Sequence, residues 1–134
     1  MNVIFIDFSE TYYSNVVKKA VPDVLNGKFV QIRNSTTEYL VFAPKEYASY
    51  HADIVERFCS KEGLTGSYDR DRKRFEVYDP GWVVAGGGKF ETDKNEKRLR
   101  LYDNSMAYGR FDSEGLIEKI RSIKELAGYT VQIE

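Results

Sequence analysis

Three consecutive glycines, Gly86 to Gly88, interrupt a stretch that otherwise reads as extended chain. Trp82 to Ala85 before them and Phe90 to Thr92 after them favour strand, and Asp93 to Lys97 is polar and turn-like. Leu99, Leu101 and Tyr102 suit a returning strand that stops at Asp103-Asn104. The run from Ala85 to Gly109 is therefore predicted to be a β-hairpin ending in a loop. Glycine in a strand weakens it and leaves no side chain to pack, so a triplet is expected where another backbone or a ligand comes close. In the loop that follows, small Ser105 and Ala107 would leave backbone N–H groups open to an anion. Spacing alone favours the plainer reading, a hairpin with a glycine bulge and an ordinary surface turn. The run is not a nucleotide-binding loop, because Lys89 is followed by Phe90 in a strand and not by Ser or Thr opening a helix; the dinucleotide fingerprint fails as well.

A chain of 134 residues is one ordinary domain, long enough to bury most of its apolar surface without staples. Its formal net charge of -1 argues against a nucleic-acid partner, whose binding rests on neutralising many phosphates, so any anion site must be local. The single Cys59 excludes an internal disulfide and suits a reducing compartment. With one Cys and one His, a zinc site of soft ligands cannot be built within the chain, and no cofactor or metal is expected. Val3 to Ile6 is too short to span a bilayer and lacks the basic lead-in of a signal peptide; it reads as a strand or docked arm of a cytoplasmic monomer with no membrane partner.

Along the chain, Glu10 to Ala20 is compatible with a short helix ended by Pro22-Asp23. Asn26-Gly27 is a turn signal, and Lys28 to Arg33 alternates as a half-buried strand should, with Lys28 at its head. After a turn at Asn34 to Thr37, Tyr39 to Ala43 reads as an antiparallel partner strand. A helix follows, starting either with Pro44 at its first position or with Ser49 as N-cap; Tyr47, Ile54, Val55 and Phe58 form its apolar stripe and Gly63 ends it. The charge run Asp69 to Arg74 reads as a solvated turn, with Phe75 to Tyr78 as an added strand; a docking surface for a phosphorylated protein is the alternative. Asp112-Ser113 caps a second helix whose Leu116, Ile120, Ile123 and Ala127 share a face and which ends at Gly128, and Tyr129 to Ile133 is a final strand. The predicted fold is α+β: a single mixed β-sheet flanked by two main helices.

His51, the only histidine, falls on the apolar stripe and so points toward the protein body. A lone histidine there is most often a satisfied core residue. If the helix starts at Ser49, however, His51 lies in its first turn, where the macrodipole disfavours imidazolium and attracts an anion. A neutral base beside bound phosphate is the functional reading.

Tyr50-His51-Ala52-Asp53-Ile54, Ala85-Gly86-Gly87-Gly88-Lys89, and Tyr102 followed by Ser105-Met106-Ala107-Tyr108-Gly109 together resemble the small phosphohistidine phosphatase family, also called Janus or Ocnus. The likeness extends to Val21-Pro22-Asp23 and Lys28 to Arg33, and covers the chain from Val21 onward. It implies His51 as catalytic histidine, Lys28 as substrate-binding lysine and Ser105, Met106 and Ala107 as phosphate loop, with Tyr50, Ala52, Gly88 and Tyr108 as supporting motif residues. Lys89 stands where the family commonly has Arg, replacing a planar fork by a point charge. Residues 1–20 would be an N-terminal extension and 68–81 an insertion in one phosphohistidine-phosphatase-like domain spanning 1–134. The implied activity is metal-independent hydrolysis of the P–N bond of phosphohistidine, and of phospholysine as a second class, in proteins or peptides. The competing expectation is a phosphate-recognising interaction module without turnover.

Overall fold

A computed structural model describes residues 2–134. Its strands, in chain order, are Asn2–Asp7 (β1), Val24–Arg33 (β2), Thr37–Pro44 (β3), Gly66–Tyr68 (β4), Phe75–Val77 (β5), Val83–Asp93 (β6), Arg98–Tyr102 (β7) and Thr130–Ile133 (β8); its α-helices are His51–Glu62 (α1) and Leu116–Arg121 (α2). Six strands form a mixed sheet of order β1-β3-β2-β6-β7-β8, while β4 and β5 make a separate two-stranded ribbon. The outer pairs β1/β3 and β7/β8 are parallel and the inner pairs antiparallel. The fold is α+β, with the expected mixed sheet and one small ribbon beside it. The N-terminal residues are part of the sheet, since β1 lies along β3 from Asn2↔Thr37 to Asp7↔Phe42.

The period-2 alternation of the strands sorts the core into two layers. Val30, Ile32, Val41 and Ala43 face α1, where they meet Ala52, Ile54, Val55 and Phe58. Phe29, Leu40, Phe42, Phe90, Leu99 and Leu101 face the other way, against Phe111, Leu116, Ile120, Ile123 and Leu126. Phe42 stacks on Phe90 at 4.5 Å between ring centroids, and each such buried side chain contributes about 1.5–3 kcal/mol. With both faces covered, Phe29 to Ile32 is fully buried, not half-buried as its alternation predicts. Gln31 tolerates this because its side chain exchanges hydrogen bonds with the Asp112 backbone, at 3.0 and 2.8 Å.

Other local expectations yield to tertiary packing. Asn26-Gly27 is not a turn: Gly27 pairs with Pro44 on one side and Phe90 on the other, and a Cβ there would stand 2.0 Å from the Ala43 carbonyl oxygen. Lys28 is consequently mid-strand and not at a strand's head. Neither expected start of the first helix is used, because Pro44 ends β3 and the helix opens at His51 with Tyr50 as N-cap. The second helix is shorter than expected. It follows Gly115 in a left-handed conformation and stops at Arg121, and the short 3-10 turn Lys124–Leu126 buries Leu126 while Ala127 is exposed. Between Glu10 and Ala20 the chain forms a π-helical turn over Thr11–Val17, ended by Lys18 at φ 59°.

Candidate active site

Asp53 sets the position of α1 and, through it, of His51. One Asp53 carboxylate oxygen accepts the Tyr50 N–H at 3.2 Å, closing the first turn, and the other accepts the Tyr68 hydroxyl at 2.9 Å, tying that turn to β4. Burial pushes the Tyr68 hydroxyl up to about 12, assisted by its bond to Asp53, so it stays a donor. Ala52 is fully buried, which seats the helix N-terminus on the sheet, whereas the Tyr50 side chain is exposed. His51 is the first helical residue and only 7% exposed.

Its Nε2 lies 2.9 Å from the Gly88 carbonyl oxygen. A carbonyl only accepts, so Nε2 carries the hydrogen, and in the neutral ring Nδ1 holds the free lone pair. The triple glycine makes this approach possible. A Cβ on Gly87 would stand 2.8 Å from His51 Cδ2, and one on Gly88 2.6 Å from the Tyr102 carbonyl oxygen and 2.9 Å from the Phe111 ring. At the bulge opposite Gln31 and Ile32, Gly86 takes φ 151°, and its Cβ would meet the Arg110 carbonyl oxygen at 2.4 Å. Each glycine therefore admits a different neighbour.

Lys28 and Lys89 are direct cross-strand partners in the β2/β6 register. Strand alternation puts Lys28 on the face of Val30 and Ile32, which is the face bearing α1 and His51. Directly opposed like charges are unfavourable. Lys89 is relieved by Asp103, whose carboxylate lies 3.1 Å from its Nζ, and Lys28 has no carboxylate partner among the described residues. The Lys89 ammonium holds the Asp103 carboxyl below its usual range. Burial lowers the His51 pKa, the bond to Gly88 opposes that, and the two lysines lower it further against Asp103. His51 is thereby held neutral.

The loop after β7 closes on itself beside Gly87. Ser105 and Gly109 exchange backbone bonds of 3.1 and 2.8 Å, and the Gly109 carbonyl also accepts the Gly87 N–H at 3.0 Å. Ser105 is buried and its N–H is spent on that bridge, so the expectation that it offers its N–H to an anion is corrected: it shapes the loop instead, its Oγ accepting the Tyr108 N–H at 3.1 Å. The Met106 and Ala107 N–H groups make no hydrogen bond among the described residues, and the Met106 side chain is fully exposed. The Tyr108 hydroxyl donates to the Phe75 carbonyl and accepts the Phe75 N–H, both at 2.8 Å.

The structure thus gathers His51, Lys28, Lys89, Gly88 and the 105–109 loop around one stretch of β6. Sequence reasoning missed Asp103, which neutralises Lys89, and Arg74, which donates to the Ala107 carbonyl and lies over the Tyr108 ring at 4.8 Å. The charge run held the only sequence signal for Arg74. Cys59 is no competing nucleophile, being buried in the α1 layer with its thiol pushed up to about 11 by that burial. Among the described residues no three His, Cys, Asp or Glu side chains group so as to hold a metal, and no helix is long and apolar enough to cross a membrane.

Fold and site define an α+β domain with a basic, histidine-centred surface site on a glycine-bearing strand. The sequence profile of the Janus/Ocnus family (Ocnus) matches residues 25–129, and the chain belongs to that family. The match leaves β1 and β8 outside and includes the β4/β5 ribbon. No individually curated protein matches the chain.

Proposed function

We propose that this protein hydrolyses the P–N bond of phosphohistidine in proteins or peptides, without a metal, using His51 as general base. The observation that carries the reading is the bond from His51 Nε2 to the Gly88 carbonyl. It leaves Nδ1 as the basic atom of a neutral ring beside two lysines and two loop N–H groups that have no partner among the described residues. Phosphoryl transfer asks little of a protein beyond positioning and charge stabilisation, and these are the groups such a site needs. In this mechanism the phosphoryl oxygens lie against Lys28, Lys89 and the N–H groups of Met106 and Ala107. His51 Nδ1 takes a proton from a water as its oxygen bonds to phosphorus. The P–N electron pair leaves with the substrate imidazole, which enters protonated on its other ring nitrogen and so departs as the neutral ring. The proton on His51 then returns to solvent. General-base assistance of this kind contributes roughly 10²- to 10⁴-fold. Phospholysine, whose nitrogen is a poorer leaving group unless protonated, is the second substrate class.

The test is release of inorganic phosphate from a phosphohistidine peptide, before and after dialysis against a chelator. Turnover is expected in both samples at the same rate. Loss on dialysis with recovery on adding magnesium or zinc would overturn the metal-independent reading, and peptide binding without phosphate release would make the protein a recognition module.

A further inference from the structure

We propose that Arg74, at the end of the turn that joins β4 to β5, is a positioning residue that aims the loop's free N–H groups at the bound anion. The inference rests on the phosphatase reading only for the identity of that anion. The loop offers the N–H groups of Met106 and Ala107, and their direction depends on the peptide planes at either end. At the front, the Ser105 carbonyl is held by the Gly109 N–H at 2.8 Å, which turns the Met106 N–H of the same peptide the opposite way. At the back, the peptide joining Ala107 to Tyr108 is pinned on both edges: its N–H donates to Ser105 Oγ at 3.1 Å, and its carbonyl accepts from the Arg74 guanidinium. The peptide between them, which carries the Ala107 N–H, has no hydrogen bond among the described residues and takes its orientation from these two neighbours.

Arg74 is itself held for this task. Its Nε donates to Glu76 at 2.5 Å, its guanidinium lies 4.8 Å from the Tyr108 ring centroid, and the N–H and carbonyl of the neighbouring Phe75 both bond to the Tyr108 hydroxyl. The ribbon and the loop are thus joined at Ala107, at the Tyr108 ring and at the Tyr108 hydroxyl. Arg70 and Lys73, on the same turn, make no ion pair among the described residues and serve as a comparison for charge alone. Without Arg74 the Ala107 carbonyl is released, the back peptide keeps one bond, and the Ala107 N–H samples more directions. A preorganised donor becomes one that must be ordered when the anion binds.

The experiment compares Arg74→Ala, Arg74→Lys and Arg70→Ala with the parent. Amide relaxation and hydrogen exchange of Met106 and Ala107 are recorded without ligand, and inorganic phosphate is then titrated. In Arg74→Ala the Ala107 amide should become more mobile and phosphate affinity should fall roughly three- to tenfold, the scale of one partly exposed charge-assisted hydrogen bond. Arg74→Lys, which keeps a donor and the charge, should recover part of both, and Arg70→Ala should match the parent. Unchanged amide mobility in Arg74→Ala would overturn the proposal, as would equal losses in Arg74→Ala and Arg70→Ala. If the parent releases no phosphate from phosphohistidine while the amides still respond to Arg74, the phosphatase reading fails and the positioning role stands.

Discussion

At the scale of the residue, the environment of His51 determines which protonation state can work. Burial lowers its pKa in the free protein, while a bound phosphoryl dianion would raise it again. The specificity constant should therefore rise with pH through an apparent value below the ordinary ~6.5 of histidine, and kcat through a higher one. Identical midpoints in the two profiles would contradict a base that faces the substrate's charge. Lys89 poses a second test, because its ammonium is already occupied by Asp103 and an incoming anion must compete with that carboxylate. Lys89→Arg should keep or improve apparent substrate affinity. Lys89→Ala should lose about 1–2 kcal/mol, the low end for a charged partner since the side chain is 44% exposed. Asp103→Asn should tighten phosphate binding, and steady-state KM with phosphate inhibition checks all three variants. The histidine was readable from the sequence because it sat on an apolar stripe. The carboxylate was not, since nothing local marks Asp103 as the residue that reaches back to Lys89 across the hairpin.

At the scale of the element, β6 is a strand that gives up its own side-chain packing so that other groups can approach. Gly87→Ala would place a methyl group 2.8 Å from the His51 ring and 2.7 Å from the Phe29 carbonyl oxygen. Overpacking of this kind costs about 1–3 kcal/mol, and it displaces the imidazole from Gly88. Turnover should fall by more than the loss of stability explains, as seen by comparing thermal unfolding with phosphate release; an active Gly87→Ala protein would show that the close approach is dispensable. The hairpin of β6 and β7 was legible because its alternation, polar turn and glycines all agree. Asn26-Gly27 misled because a turn-forming pair was recruited into a central strand, where glycine is needed for the close approach of Ala43. The second helix was overextended for a related reason: Ile123 and Leu126 are buried by a separate 3-10 turn whose spacing imitates one more helical turn.

At the scale of the whole molecule, the site draws on distant parts of the chain, with Lys28 from β2, His51 from α1, Lys89 from β6 and the loop after β7. Sequence analysis could name these residues and give their order, but not the register that sets Lys28 opposite Lys89, because that pairing exists only in the sheet. Burying His51 links the site to folding. Its folded pKa lies below the unfolded value of ~6.5, so above that pH both states are neutral, and as pH falls below it only the unfolded chain takes up the proton. Stability should decline as pH falls below about 6.5, whereas Asp103 and Asp112, held below their usual range by Lys89 and Arg33, begin to lose their contribution only near the ordinary carboxylate value of ~3.9. The urea midpoint should fall between pH 7 and 5 in the parent and less in His51→Gln, and equal slopes would show that His51 is not held neutral. The most direct test of the central claim is phosphate release from a phosphohistidine peptide by parent and His51→Ala proteins of matched folding, judged by circular dichroism and unfolding midpoint. If His51 is the general base, the parent turns over and the variant falls by roughly 10²-fold or more. An alanine variant that releases phosphate at the parental rate would contradict it.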